Sequence, residues 1–208
     1  DADFCFQHWQ SCSSCHPGAR VDALNWDLMN DGLGTPKNAK SMLLAHKTPP
    51  SMSLGVRSTA EEAVRAGITH IQFAVRPEED AVAIDEYLKS LQPVPSPLLV
   101  DGKLSEAALR GKEVFFNEQV GCAKCHPEPL YTDMKQHNVG SKGQYDRRSE
   151  FDTPTLIEVW RTAPFMHDGH YTTMKSLFTE GKHGKFGGDI ESLTDKEIDD
   201  LVEFVLSL

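Results

Sequence analysis

Cys12-Ser13-Ser14-Cys15-His16 and Cys122-Ala123-Lys124-Cys125-His126 are two copies of one pattern, Cys-X-X-Cys-His. Thiols three positions apart lie on one face of a helical turn, where both can bond the vinyl groups of a single porphyrin. The adjacent His then comes beneath the iron as its axial ligand. The pattern therefore predicts two haem c groups, held by Cys12, Cys15 and His16 and by Cys122, Cys125 and His126, and a redox function. Four cysteines could instead build a structural zinc site, but zinc does not require a His after both pairs. A thioredoxin-like disulfide needs one such motif beside a βαβ pattern, and no strand-rich context surrounds either copy.

The rest of the composition narrows the class. The chain has 208 residues, enough for one large or two small domains, and a formal net charge of −10. That charge argues against nucleic acid, which needs clustered Lys and Arg, and fits a positively charged redox partner. No apolar run approaches the roughly 20 residues of a membrane helix. The chain opens on Asp1-Ala2-Asp3 with no signal peptide. Because haem c is assembled outside the cytoplasm, a targeting segment is expected upstream and a periplasmic or other extracytoplasmic location follows. Cys5 lies among Phe4, Phe6 and Trp9 and reads as a buried free thiol, with intermolecular pairing as the alternative.

Outside the haem motifs the chain repeats itself. Thr48-Pro49-Pro50-Ser51-Met52-Ser53-Leu54-Gly55 aligns with Thr162-Ala163-Pro164-Phe165-Met166-His167-Asp168-Gly169, and without gaps Thr59 meets Thr173 and Gly67 meets Gly181. Each half closes on a helical pattern, Pro77 to Leu91 and Ser192 to Leu208, the second behind a capping-box pair, Thr194 and Glu197. Pro93-Val94-Pro95-Ser96-Pro97 cannot be helical and reads as a stiff linker. The expected fold is mainly α, with two tandem cytochrome c-like haem domains related by internal duplication: residues 1–92, a Pro-rich linker at 93–103, and residues 104–208. An amphipathic helix from Ser105 to Asn117 leads into Cys122. Its counterpart in the first unit would begin before Asp1, so the chain is expected to be the C-terminal piece of a longer protein, unless that first helix is simply shorter. The polar segment from Lys135 to Phe151 reads as an extended loop.

The remaining axial position on each iron decides the chemistry: His or Met there gives an electron carrier, whereas an open face permits peroxide or oxygen chemistry. The duplication selects His70 for the first haem and His183 for the second, since each follows the helix after an equivalent glycine turn. Met52 and Met166 are also equivalent, but they flank proline turns where core packing is as natural a role. His167 and His170 are expected near the haem or its propionates, and His8, His46 and His137 are not expected to be ligands.

From Phe151 through Asp152-Thr153-Pro154-Thr155-Leu156-Ile157-Glu158-Val159-Trp160-Arg161 to Thr162-Ala163-Pro164-Phe165-Met166-His167-Asp168-Gly169, the chain resembles the bacterial di-haem cytochrome c peroxidase and MauG superfamily. The resemblance runs through both haem motifs. It is nearest to di-haem modules attached to larger extracytoplasmic proteins, often behind a β-propeller. It implies two haem domains meeting around one calcium ion, for which Asn38, Thr162 and Pro164 stand in the matching places. It also places the distal ligand of the high-potential haem shortly after His-Asp-Gly, where Gly181-Lys182-His183 lies. Three departures count against peroxidase activity. Ser53-Leu54-Gly55 replaces an inter-haem Trp, Gln72 stands where a proton-shuttling Glu is expected, and the His used by resting peroxidases near Asn30 is absent. An amide cannot serve as acid or base.

Two functions compete. In the first, two six-coordinate haems relay electrons between a redox partner or a fused upstream domain and an acceptor. In the second, one haem of a di-haem peroxidase or MauG-like oxidase activates hydrogen peroxide while the other supplies electrons. A use of haem as packing material alone does not account for two attachment sites.

Overall fold

The computed structural model describes residues 1–27 and 35–208; Asn30 lies outside the described residues. The helices in chain order are α1 (Cys12–Cys15), α2 (Ala60–Ala66), α3 (Glu78–Ser90), α4 (Glu106–Phe115), α5 (Cys122–Cys125), α6 (Met174–Thr179) and α7 (Asp195–Val205). Two short antiparallel ladders accompany them, β1 (Asn25–Trp26) with β2 (Lys37–Asn38) and β3 (Gln136–His137) with β4 (Phe151–Asp152). The chain is mainly helical, as the periodicity predicts. No described helix is long and apolar enough to cross a membrane.

The helices start where side chains can satisfy their first orphan N–H groups. The Thr194 hydroxyl accepts from the Glu197 backbone at 3.3 Å while the Glu197 carboxylate accepts from the Thr194 backbone at 2.8 Å, closing the expected capping box of α7. Thr173 and Ser176 close a capping box on α6, while the Thr59 and Ser105 hydroxyls cap α2 and α4 by single bonds from the backbone. Pro77 and Leu91 flank α3 rather than lying inside it, because proline contributes a fixed backbone angle but no donor.

Helix α4 lies against α7, and their shared face carries most of the core. Ala108, Phe115, Ile198, Leu201 and Phe204 are buried, and the Phe115 and Phe204 rings meet edge-on at 5.3 Å. Gly111 brings the backbones together: a Cβ there would sit 1.9 Å from the Asp200 carbonyl oxygen. The first unit has a smaller core of Ala19, Val64, Ile68, Ala81 and Leu88. Its N-terminal segment forms two single 3₁₀ turns, Ala2–Phe4 and Phe6–His8, where the second unit has α4. Cys5 is buried at 3 % exposure and unbridged, matching its sequence reading.

The internal repeat is also a repeat of backbone. Ser51 pairs with Arg57 and Phe165 with Tyr171 through isolated antiparallel bridges. Within these turns Met52 and Met166 take φ of 74° and 75°, and Gly55 and Gly169 take 57° and 66°. Four left-handed residues at matching places mean that both stretches solve one turn in one way.

Two connections are tied down by contacts. In the Pro-rich segment Ser96 is buried, its hydroxyl donates to the Leu206 carbonyl at 2.6 Å, and the Val94 N–H donates to Glu158 at 2.5 Å. The loop from Lys135 to Phe151 is closed at its base by the β3–β4 ladder, whose two residue pairs are too few to show a period-2 pattern.

Candidate functional site

Each Cys-X-X-Cys-His motif forms one helical turn, as two thiols facing one ring require. The His16 N–H donates to the Cys12 carbonyl at 2.9 Å and the His126 N–H to the Cys122 carbonyl at 3.0 Å. The two histidines leave their turns with nearly the same backbone, φ −123° and ψ 65° against φ −117° and ψ 60°. None of the four cysteines is bridged. Burial pushes all four thiols up, Cys122 to about 11, which keeps them protonated.

The imidazoles are oriented by backbone carbonyls. His16 Nδ1–H donates to the Arg20 carbonyl at 3.1 Å and His126 Nδ1–H to the Tyr131 carbonyl at 2.9 Å. A metal-ligating histidine is held in this way, with the second ring nitrogen left to the metal. Burial pushes both groups below the ordinary imidazole range, so each stays in the neutral form that binds metal. Thiols, tautomer and charge state together fit a covalently attached haem at each motif.

In the second unit another imidazole faces this one. The rings of His126 and His183 stand 6.4 Å apart, centre to centre, at 57°. Metal–imidazole bonds run about 2 Å, and rings at this separation leave room for one metal ion between them. Burial, with His126 nearby, pushes His183 down to about 4. Its Nδ1 is buried without a partner.

The first unit is arranged differently. His70 lies exposed on a π turn, Gly67–Ile71, directly after α2, and among the described residues no second imidazole faces His16 as His183 faces His126. Gln72 ends that turn; it is 4 % exposed, and its side-chain oxygen has no partner. His46 is buried with Nε2–H donating to Asp85 at 3.0 Å, and Asp85 also accepts from Arg65 at 2.6 Å. His137 pairs with Asp133, while His8 is exposed. Met52 and Met166 lie in the repeated turns, and Met166 packs against the larger core. His167 stacks on Phe151 at 3.7 Å and pairs with Asp146 at 2.7 Å, whereas His170 is exposed beside Tyr171.

Of the three residues expected around calcium, the structure joins two. The Asn38 side-chain amide donates to the Pro164 carbonyl at 2.7 Å, leaving Asn38 Oδ1 buried without a partner. Thr162 turns its hydroxyl to the Val159 carbonyl. Calcium takes six to eight oxygens; one free side-chain oxygen beside an engaged carbonyl is not such a set, and nothing below depends on it.

What the sequence does not reveal is how firmly the N-terminal and C-terminal halves of the chain are joined. Arg20 and Glu158, at 9 % and 1 % exposure, form a bidentate ion pair with both contacts at 2.9 Å. Lys37 pairs with Asp146 at 2.8 Å and Lys40 with Asp152 at 2.5 Å across the same boundary. Where the peroxidase resemblance expects an inter-haem Trp, the Ser53 carbonyl accepts from the Asp152 N–H at 2.9 Å. Partners so far apart in the chain leave no local signal; the hint is that Glu158 and Asp152 both fall inside the Phe151–Gly169 stretch.

Comparison with known proteins gives these sites a context. Residues 108–208 match the family described as Cytochrome c. The chain is 27 % identical to hydrazine synthase subunit gamma of Kuenenia stuttgartiensis, covering 100 % of this chain and 74 % of that protein. It is 22 % identical to the methylamine utilization protein MauG of Methylorubrum extorquens, over 95 % of this chain and 72 % of the relative. Against the cytochrome-c peroxidase IdrP1 of a Pseudomonas species the identity is 21 %, over 97 % and 68 %. A solved chain of Kuenenia stuttgartiensis hydrazine synthase shares the fold, with a TM-score of 0.88 at 24 % identity, covering 100 % of this chain and 84 % of that one.

Proposed function

We propose a di-haem electron-transfer cytochrome, a reading supported by the match of residues 108–208 to the cytochrome c family and by the likeness to MauG and a cytochrome-c peroxidase. Its two tandem units, 1–92 and 104–208, each hold one haem c. The observation that carries this reading is the opposed pair His126 and His183 at 6.4 Å. His126 and His183 would hold the second haem from both sides, and a haem so held would supply one-electron chemistry with no place for a substrate on its iron. The protein's contribution is to fix both rings, keep them neutral and exclude water. Cys122 and Cys125 hold the macrocycle of the second haem, and Cys12, Cys15 and His16 hold the first.

For the first haem His70 is the proposed distal ligand, carried by the π turn at the end of α2. Such turns are frequent at functional sites. One relative is by name a subunit, and the present chain is read likewise as a redox module serving a partner protein or fused domain outside the cytoplasm.

A second reading is favoured by one asymmetry. His183 faces His126, whereas His70 is exposed and does not face His16 in that way. An open first haem would make the chain a peroxide-activating enzyme fed by a closed second haem. Optical and EPR spectra of the ferric and half-reduced protein, with a peroxide assay, separate the two. Electron transfer requires two low-spin haems and negligible turnover; a high-spin first haem with rapid peroxide consumption overturns it.

A further inference from the structure

The carbonyls that orient the two proximal histidines are anchored in different ways. In the second unit the acceptor belongs to Tyr131, whose side chain stays at home: its ring meets Phe115 and Phe204, and its hydroxyl donates to Glu128 at 3.0 Å. In the first unit the acceptor belongs to Arg20, whose side chain reaches across to the second unit. Its guanidinium grips Glu158 through two bonds, donates to the Gln92 carbonyl at the start of the linker at 3.2 Å, and returns to the Gly18 carbonyl at 3.1 Å.

The turn that this grip holds is strained. Between His16 and Arg20 the backbone takes φ of 58° at Gly18 and 59° at Ala19. Left-handed backbone is free for glycine but strained for an alanine, whose Cβ meets the following carbonyl oxygen. Ala19 is buried at 6 %, so its methyl group sits in the small core and the turn cannot open toward water. A strained turn persists only when its surroundings over-determine it; here the guanidinium, through its bond to the Gly18 carbonyl, is one such constraint.

We propose that Arg20 is a positioning residue for the first haem, transmitting the Glu158 contact in the second unit to the hydrogen bond on His16 Nδ1. The inference rests on haem attachment at Cys12 and Cys15. Donation from Nδ1–H to a fixed carbonyl raises the electron density of the ligand and favours the ferric iron. Loosening the Arg20 turn therefore weakens that bond and raises the reduction potential of the first haem. The second haem, with its acceptor fixed by Tyr131, has no such link to Glu158. A substitution in the second unit thus acts on the haem of the first.

The test is Arg20→Lys, which keeps the positive charge but cannot make the bidentate contact, together with Glu158→Gln. Redox titration and EPR are read for each haem in the intact chain, the second haem being assigned by its change in His183→Ala. The expected result is an upward shift in the potential of the first haem and altered EPR g-values there, in both variants, with the second haem unmoved. Should Arg20→Lys not mature, Glu158→Gln decides alone. Two unchanged haems, or both shifting together, overturn the proposal. A wild-type chain with haem on Cys122 and Cys125 only overturns the first-haem reading along with it, whereas full loading with unmoved potentials sinks the positioning role and leaves that reading standing.

Discussion

His126 and His183 place their rings 6.4 Å apart at 57°, and they reach this arrangement by different routes. His126 is fixed by its helical turn and the Tyr131 carbonyl. His183 comes from the loop after α6, where its N–H donates to the Leu177 carbonyl at 3.2 Å. The first route leaves little freedom, and the second leaves the imidazole held mainly by what its ring faces. On the electron-transfer reading, iron held between the rings would supply that contact.

His183→Ala should therefore convert the second haem, and only that one, from low to high spin. Met166→Leu serves as the control, because Met166 packs against the larger core. The check is the ferric EPR spectrum, where a high-spin signal should appear for one haem per chain. A low-spin spectrum surviving in His183→Ala but lost in Met166→Leu would hand the ligand role to the methionine.

His70→Gly tests the first haem. On the electron-transfer reading it gives a high-spin first haem and opens that iron to cyanide or peroxide, while the second haem keeps its spectrum. His70 is exposed, and substitutions at exposed positions usually change stability by no more than about 0.5 kcal/mol, so the variant keeps its fold. An unaltered spectrum removes His70 from the iron.

The legible parts of this chain were those written in local pattern. The haem motifs, the Thr194–Glu197 box and the apolar spacing of α7 each lie within a few residues, and one hydrogen-bonded turn reads each of them out. The duplicated turns were visible because left-handed backbone at Gly55 and Gly169 restricts which residues fit. The Arg20–Glu158, Lys37–Asp146 and Lys40–Asp152 pairs were not, for each joins residues more than a hundred positions apart. Nor could spacing alone tell that His70 would lie exposed while His183 would face a ring: side-chain direction at a turn depends on backbone angles that the pattern does not carry.

Gly111→Ala should destabilise the protein even though alanine is the better helix former. The propensity gain is about 1 kcal/mol. Against it, the new Cβ would lie 1.9 Å from the Asp200 carbonyl oxygen and 2.9 Å from Phe204 Cβ, so α4 and α7 must separate over the best-packed part of the core. Overpacking of this kind costs about 1–3 kcal/mol, sometimes more, and here the obstacle is backbone, which cannot swing aside. Gly67→Ala is the counterpart, with helical φ of −60° and nothing near the added methyl group; it should stabilise by about 0.5–1 kcal/mol. Urea titrations of both variants, followed by circular dichroism, should move in opposite directions.

Asp200 predicts the acid limb of the stability curve. Its carboxylate, 8 % exposed, takes two bonds of 2.8 Å from Arg110 on α4 and one of 2.8 Å from Lys196 on its own helix. Hydrogen bonds from Arg110, then Lys196, hold its pKa down to about 2. In the unfolded chain an aspartate titrates near about 3.9, so between these values the unfolded state binds the extra proton and stability falls as pH falls. The stabilisation from this group is complete above about pH 4 and gone below about pH 2. Asp200→Asn should thus lower the urea midpoint at pH 7 and flatten its fall through that window, its curve meeting the wild-type curve at the acid end. Parallel curves separated by the same amount at pH 7 and pH 2 would show that the asparagine costs packing rather than charge, and that the Arg110–Asp200 link between α4 and α7 does not act through ionisation.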